Sequence, residues 1–336
     1  MTSQPNSAYA IETHDLARNF GEVRAVNGVD LAVRKGEIYG FLGPNGAGQT
    51  TAHRMLVTLL APSGGRILVA GHDVMREADR VRSRIGVALQ EAALDNKQTG
   101  RELLRLQGRL YGLGGKEITR RIDELSGLVD IGEAMDRLIG TYSGGMKRRL
   151  DLAAALIHHP EILFLDEPTT GLDPISRSQI WEEVRAINHG LDVTIFLTTQ
   201  YLEEADALAG RVGIINRGVL AAEGEPVDLK RAIGSDLIVA RLENDASLAV
   251  EALQDIPSVL ALEPHGNEIT ISVNSGASLI SEVALRLNEK NIVVRELTLR
   301  TPTLDDVFLQ VTGNRFRNAV DELDRPRPQT LDSPEA

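Results

Sequence analysis

Gly43-Pro44-Asn45-Gly46-Ala47-Gly48-Gln49-Thr50 has the spacing of a P-loop, G-x-x-x-x-G-K-[ST], with Gln49 where the lysine stands. Glycines at these positions let backbone N–H groups turn inward toward phosphate oxygens, and the helix that follows adds its positive end. Thr50 brings a hydroxyl suited to Mg²⁺, and Thr51 extends the nucleotide contact into the helix. Without its lysine the loop alone reads either as a phosphate cradle or as a structural strand-to-helix turn. A second constellation weighs toward the cradle. The apolar run Ile162-Leu163-Phe164-Leu165 ends in Asp166-Glu167-Pro168, which sets two carboxylates at the carboxyl end of a buried strand, where ligands bind in open α/β sheets. Asp166 there can hold Mg²⁺ and Glu167 can polarise an attacking water; a pair of solvated acids is the bland alternative.

These residues need a sheet to carry them. Short β-rich runs at 11–16, 24–33 and 37–42 lead into the loop, and 50–60 has the pattern of the following helix. Leucines and isoleucines then recur at helical spacing from Leu103 to Leu128, marking a helical insert at about 91–160. Apolar runs return at 162–165 and 193–197 with helical stretches between, the alternation of a parallel α/β sheet. After Pro226 the texture changes to strands at 236–242, 258–263, 268–273 and 292–299 with helices at 247–254 and 278–288. That order, β-α-β-β-α-β, is the split βαβ arrangement of small ferredoxin-like domains. A last helix is expected over 303–311 with Thr303 as N-cap and Gly313 as the stop. The expected domains are 1–225, 226–313 and a disordered, Pro- and charge-rich 314–336.

Composition narrows the function. At 336 residues the chain has room for two cores, and 42% hydrophobic with 25% charged residues is a globular balance. A net charge of −12 argues against nucleic acid as a partner, since phosphate neutralisation needs a basic face. The absence of cysteine excludes disulfides, thiol catalysis and Cys-ligated metals. The first residues do not read as a secretory signal, and no run reaches the roughly 18 apolar residues of a membrane span. A membrane role would need another protein to supply the span. His265, beside Gly266, reads as a solvated residue rather than a ligand.

Between the two phosphate-directed sites, Tyr142-Ser143-Gly144-Gly145-Met146-Lys147-Arg148-Arg149 resembles the signature loop of ABC ATPases. In that family the loop closes over the ATP of the opposite subunit. The resemblance therefore implies a head-to-tail dimer in which Ser143, Gly144 and Gly145 contact ATP; a plain helix N-cap is the bland reading. Gln90, after Gly86-Val87-Ala88-Leu89, resembles the Q-loop glutamine that contacts Mg²⁺ or the attacking water and faces a membrane subunit. Gly171-Leu172-Asp173-Pro174 resembles the D-loop, with Asp173 communicating across the dimer. Phe20 stands where the family stacks an aromatic ring on adenine, although Phe is also a common core residue. Thr198-Thr199-Gln200 occupies the switch position, where most members carry a histidine on the γ-phosphate; Gln200 keeps an amide donor but no ionisable group.

With Tyr201-Leu202-Glu203-Glu204-Ala205-Asp206 and Pro302-Thr303-Leu304-Asp305-Asp306-Val307-Phe308, the chain is similar to the daunorubicin-resistance subgroup of exporter ATPases up to about Gly313. The resemblance implies an α/β fold: a P-loop ABC-type nucleotide-binding domain with a helical insert, plus a small α+β ferredoxin-like C-terminal domain. It implies ATP and Mg²⁺ as cofactors and a second ATPase subunit, identical or related. It also implies a polytopic membrane permease on whose cytoplasmic face the chain would sit, and a hydrophobic drug-like or lipid-like substrate to export. A soluble ABC ATPase outside transport and a non-hydrolysing nucleotide-gated regulator are the alternatives. In the family the lysine pairs with the β- and γ-phosphates, so Gln49 is expected to weaken MgATP binding. It is also expected to slow hydrolysis by about 10² to 10³, by analogy with losing one preorganised transition-state contact.

Overall fold

The structure is a computed structural model that describes residues 8–89 and 94–313. Gln90 and the segment 314–336, expected to be disordered, lie outside the described residues. Contacts divide the chain after Pro226, with Val227–Gln310 as a second unit. Each unit has its own apolar core.

The core of the first unit follows from strand parity. Strands Ile38–Leu42, Ile162–Asp166 and Thr194–Thr198 are almost continuously apolar and buried, as strands covered on both faces must be. They sit in a six-stranded sheet ordered Val219–Gly224, Arg211–Asn216, Ile38–Leu42, Thr194–Thr198, Ile162–Asp166 and Ile85–Ala88. All neighbours are parallel except the antiparallel edge strand Val219–Gly224. Alternate side chains go to opposite faces. Leu163, Leu165, Ile195 and Leu197 join the core shared with the helical insert, while Ile162, Phe164 and Phe196 join Phe41 on the side of the P-loop helix. There the rings of Phe41 and Phe164 each lie 5.5 Å from that of Phe196.

A second, antiparallel sheet runs Val23–Arg34, Tyr9–Phe20, Gly64–Val69, His72–Asp73. The first two of these strands are longer than the hydrophobic runs that announce them, and the last two carry no such announcement. The insert consists of helices Gly100–Leu110, Gly115–Leu128 and Gly144–Leu156. Thr99 and Glu102 close a reciprocal capping box on the first. Buried Arg121 spans from the second helix to the carbonyls of Leu156 at 2.6 Å and Ile157 at 3.4 Å, at the end of the third.

In the second unit the element order is Asp236–Leu242, Ser247–Leu253, Val259–His265, Glu268–Val273, Gly276–Glu289 and Val294–Arg300. The strands form one antiparallel sheet with Asp236–Leu242 between Glu268–Val273 and Val294–Arg300, and Val259–His265 at the edge. Ile238, Ala240, Ile269 and Ile271 pack with Leu253, Val283 and Leu287 of the two helices. His265 is the exposed last residue of its strand. Thr303 and Asp306 exchange hydrogen bonds at the start of helix Leu304–Thr312, and Gly313, at φ 68°, follows its end. Among the described residues no helix is long and apolar enough to cross a membrane.

Candidate functional site

The P-loop is shaped by what surrounds it. A Cβ on Gly48 would lie 2.2 Å from the carbonyl oxygen of Ala25, and Gly48 has φ 102°, so only glycine serves there. A Cβ on Gly43 would meet Ile215 Cγ2 at 2.7 Å. The carbonyl of Ala47 is taken by the N–H of Gly218 at 2.8 Å, which fixes the loop from behind. Helix Gln49–Leu56 then starts from Gly48 with no side chain capping its first N–H groups. Uncapped N–H groups after a glycine loop are what a phosphate takes. Gln49 turns elsewhere: its Nε2 donates to the carbonyl of Phe41 at 2.6 Å.

Phe20, Pro44, Asn45, Gly46, Gly48, Gln49, Thr50, Thr51, Glu167 and Gln200 line one cavity of about 310 Å³ together with Ala25. Phe20 is 47% exposed at this cavity, so it is not a core residue, and Arg18 lies 4.7 Å over its ring. Gly43 and Ala47 support the loop from the protein side and do not line the cavity. Ser143, Gly144, Gly145 and Asp173 are also away from it. Ser143 caps helix Gly144–Leu156 through Met146 N at 3.2 Å, and Asp173 caps helix Pro174–Leu191 through Ile175 N and Ser176 N. The two turns meet: a Cβ on Gly144 would lie 3.7 Å from Leu172 Cδ2.

The carboxylates are placed by the parity that sorts the core. Asp166 shares the face of Ile162 and Phe164, so it looks toward the P-loop helix. Its Oδ1 accepts from Thr198 Oγ1 at 2.5 Å, and its Oδ2 lies 3.8 Å from His53 Nδ1. His53, on the P-loop helix, is buried against Phe164 and Phe196. Burial lowers its pKa, with Asp166 acting in the opposite direction. Glu167 has φ 46°, a left-handed backbone that a non-glycine residue adopts at a cost of about 1–3 kcal/mol. Both its oxygens are engaged: Oε1 accepts from Gln200 Nε2 at 2.5 Å and Oε2 from Thr170 Oγ1 at 3.0 Å. Gln200 is thus an amide clamp on Glu167. Behind the turn, fully buried Glu204 accepts from Thr169 Oγ1 at 2.8 Å and Trp181 Nε1 at 3.0 Å. Burial raises its pKa, against hydrogen bonds from Thr199, Thr169 and Trp181.

The residues therefore fit a nucleotide with a hard cation. Glycines admit phosphate oxygens, and Thr50 and Asp166 offer the oxygen donors that Mg²⁺ prefers. No motif marks Ala25 or His53, the Tyr201–Asp206 stretch contains Glu204 without assigning it a role, and the switch motif gives no hint that Thr198 meets Asp166. A polar residue on an otherwise buried helix face, as at His53, is the one signal that was available.

A glycine-rich loop on one parallel strand, a carboxylate pair two strands away across Thr194–Thr198, and a helical insert whose third helix is opened by Ser-Gly-Gly define an ATPase cassette. The comparisons agree. Residues 26–170 match the ABC transporter family, and residues 224–312 match the C-terminal domain of DrrA1-3-like ATP-binding proteins. The daunorubicin resistance ATP-binding protein DrrA2 of Streptomyces coeruleorubidus is 46% identical, with 92% of this chain and 97% of the relative covered. The linearmycin resistance ATP-binding protein LnrL of Bacillus subtilis is 33% identical, with 92% of this chain and 100% of the relative covered. Among solved structures, cbiO1 of Clostridium perfringens, part of the transporter complex cbiONQ, superposes with a TM-score of 0.63. It is 26% identical, over 68% of this chain and 94% of that one. The chain belongs to the ABC transporter ATP-binding proteins, in the drug-resistance exporter group with the DrrA-like C-terminal domain.

Proposed function

We propose that this chain binds MgATP in the cavity at the P-loop, pairs head-to-tail with a second ATPase subunit and drives a separate membrane permease from the cytoplasmic face. The observation that carries the reading is the convergence of Phe20, the P-loop, Thr50, Glu167 and Gln200 on one cavity from four separate stretches of chain. Phe20 stacks the base, the loop N–H groups hold the phosphates, and Thr50 and Asp166, with Gln90, hold the cation. When bound, Mg²⁺ neutralises charge on the phosphate oxygens. Glu167 orients and polarises the water, and Gln200 sets the carboxylate's position through its 2.5 Å hydrogen bond. Ser143, Gly144, Gly145 and Asp173 lie away from this cavity because they serve the partner subunit's nucleotide. Relatives named for daunorubicin, doxorubicin and linearmycin resistance support a hydrophobic, drug-like or lipid-like export substrate.

The permease docks in a groove of about 350 Å³ lined by Val57, Leu59, Leu89, Gln107, Tyr111 and Asp151, among others. Leu106 and Leu110, exposed on the adjoining helix, extend the apolar surface beside it.

Gln49 makes this form a slow ATPase. Its amide, bonded to Phe41, gives the β- and γ-phosphates no fixed charge. Gln49→Lys is expected to tighten MgATP binding and raise kcat by about 10², read by phosphate release from the purified chain and from its complex with the permease. No gain in either preparation would reject this role for Gln49. Failure of the native chain to bind MgATP would reject the function itself.

A further inference from the structure

Helix Gly144–Leu156 carries two adjacent arginines that reach in opposite directions. Arg149 turns outward to helix Pro174–Leu191, with Nε 2.7 Å from Glu183 Oε1 and Nη2 donating to Gln179 Oε1 at 3.2 Å. Arg148 turns inward and is buried. Its Nη1 donates to the carbonyl of Leu89 at 2.6 Å and to Asp151 Oδ2 at 3.1 Å, and its Nη2 donates to the carbonyl of Asp166 at 3.2 Å.

The three acceptors belong to three parts of the machinery. Leu89 follows the strand Ile85–Ala88 and immediately precedes Gln90. Asp166 ends the neighbouring parallel strand and immediately precedes Glu167. Asp151 lies on the same helix as Arg148, and both Asp151 and Leu89 line the groove assigned to the permease. One guanidinium thus joins the strand end that holds the cation's carboxylate to the wall of the groove. The choice of arginine is chemical: a planar fork can serve two backbone carbonyls and a carboxylate at fixed angles, whereas an ammonium on a flexible stem cannot hold all three. Stability alone does not account for it, because a buried ion pair seldom exceeds an apolar pair of similar volume.

We infer that Arg148 is a positioning residue that couples the nucleotide site to the permease groove: a shift of the Asp166–Glu167 segment is passed through the guanidinium to Leu89 and Asp151. The inference rests on the reading that the cavity takes MgATP. It assigns to a side chain of the signature helix a link that no motif of the sequence marks.

Hydrogen–deuterium exchange on the full chain, with and without MgATP, tests it in the native protein, Arg148→Lys and Arg148→Met. In the native chain MgATP should slow exchange at residues 85–89 and 107–111, on the groove, by about threefold or more. Arg148→Lys keeps the charge and should keep MgATP affinity, by a fluorescent analogue, within about threefold, while the groove loses its response. Should Arg148→Met not fold, Arg148→Lys carries the test. A groove response kept in Arg148→Lys overturns the inference. So does MgATP binding to the native chain without a groove response, and so does a parallel fall of melting temperature and affinity in Arg148→Lys, which marks a structural role. If the native chain does not bind MgATP at all, the proposed function fails first and takes this inference with it.

Discussion

Glu183 is a carboxyl group that folding makes harder to ionise. Its side chain is 9% exposed, with Oε1 facing Arg149 and Oε2 lacking a hydrogen-bond partner among the described residues. Burial pushes its pKa from 4.5 up to about 7 despite the opposing arginine. Between those values the folded chain holds a proton that the unfolded chain has released. Stability therefore falls as pH rises through that window and levels off above it. Asp151, pushed up to about 6 by burial, adds a slope of the same sign. Glu183→Gln keeps an amide oxygen for Arg149 and should flatten the profile, raising stability at pH 8 by about 1–3 kcal/mol relative to its effect at pH 5. Urea midpoints at the two pH values measure this, and an unchanged difference between them would count against it. Residues of this kind are where sequence reading stops. The P-loop glycines, Thr50 and the Asp166–Glu167 pair are legible because contiguous spacing carries their chemistry. Glu183, Thr198 and His53 acquire theirs from partners more than 30 positions away, and Arg148 joins acceptors 3, 18 and 59 positions away.

At the scale of elements, the insert depends on how its helices are ended. Helix Gly144–Leu156 must hold Ser143 and Gly145 in place at its start, and its far end is finished by Arg121 rather than by a glycine cap. The arginine's Nη1 also lies 2.8 Å from Glu124 Oε2. Arg121→Met fills the same space with an apolar chain but leaves the Leu156 and Ile157 carbonyls without their donor. The expected cost is about 1–3 kcal/mol, seen as a lower urea midpoint. An unchanged midpoint would show that water replaces the guanidinium there. The first two insert helices are readable from their apolar periodicity, because each buries one stripe; the third is announced by the Ser143-Gly144-Gly145 turn that opens it. The strands Gly64–Val69 and His72–Asp73 are not. Their start is Gly64-Gly65-Arg66, exposed, and only Ile67 and Val69 go inward, too few to set up a period-two signal. Pairing with Tyr9–Phe20 makes Gly64–Val69 a strand, and His72–Asp73 becomes one by pairing with Gly64–Val69 in turn.

For the whole molecule, the division after Pro226 separates two independent sets of buried residues. The change from helix-and-parallel-strand texture to short alternating strands is visible in the sequence because the two sheet types bury their strands differently. The second unit places Ile238, Ala240 and Leu242 on one face, opposite Ile269 and Ile271, and closes that face with Leu253, Leu279, Val283 and Leu287. Every strand except those at the sheet edges is paired on both sides, and the edge strand Val259–His265 carries Glu263, Pro264 and His265, residues that discourage pairing with another chain. A four-stranded sheet with two helices over one face is a complete core at this size. Residues 226–313 expressed alone should therefore fold, giving dispersed amide resonances and a single cooperative thermal transition. Broad, collapsed spectra without a transition would mean that this core needs the rest of the chain, and the boundary at Pro226 would then mark only a change of topology.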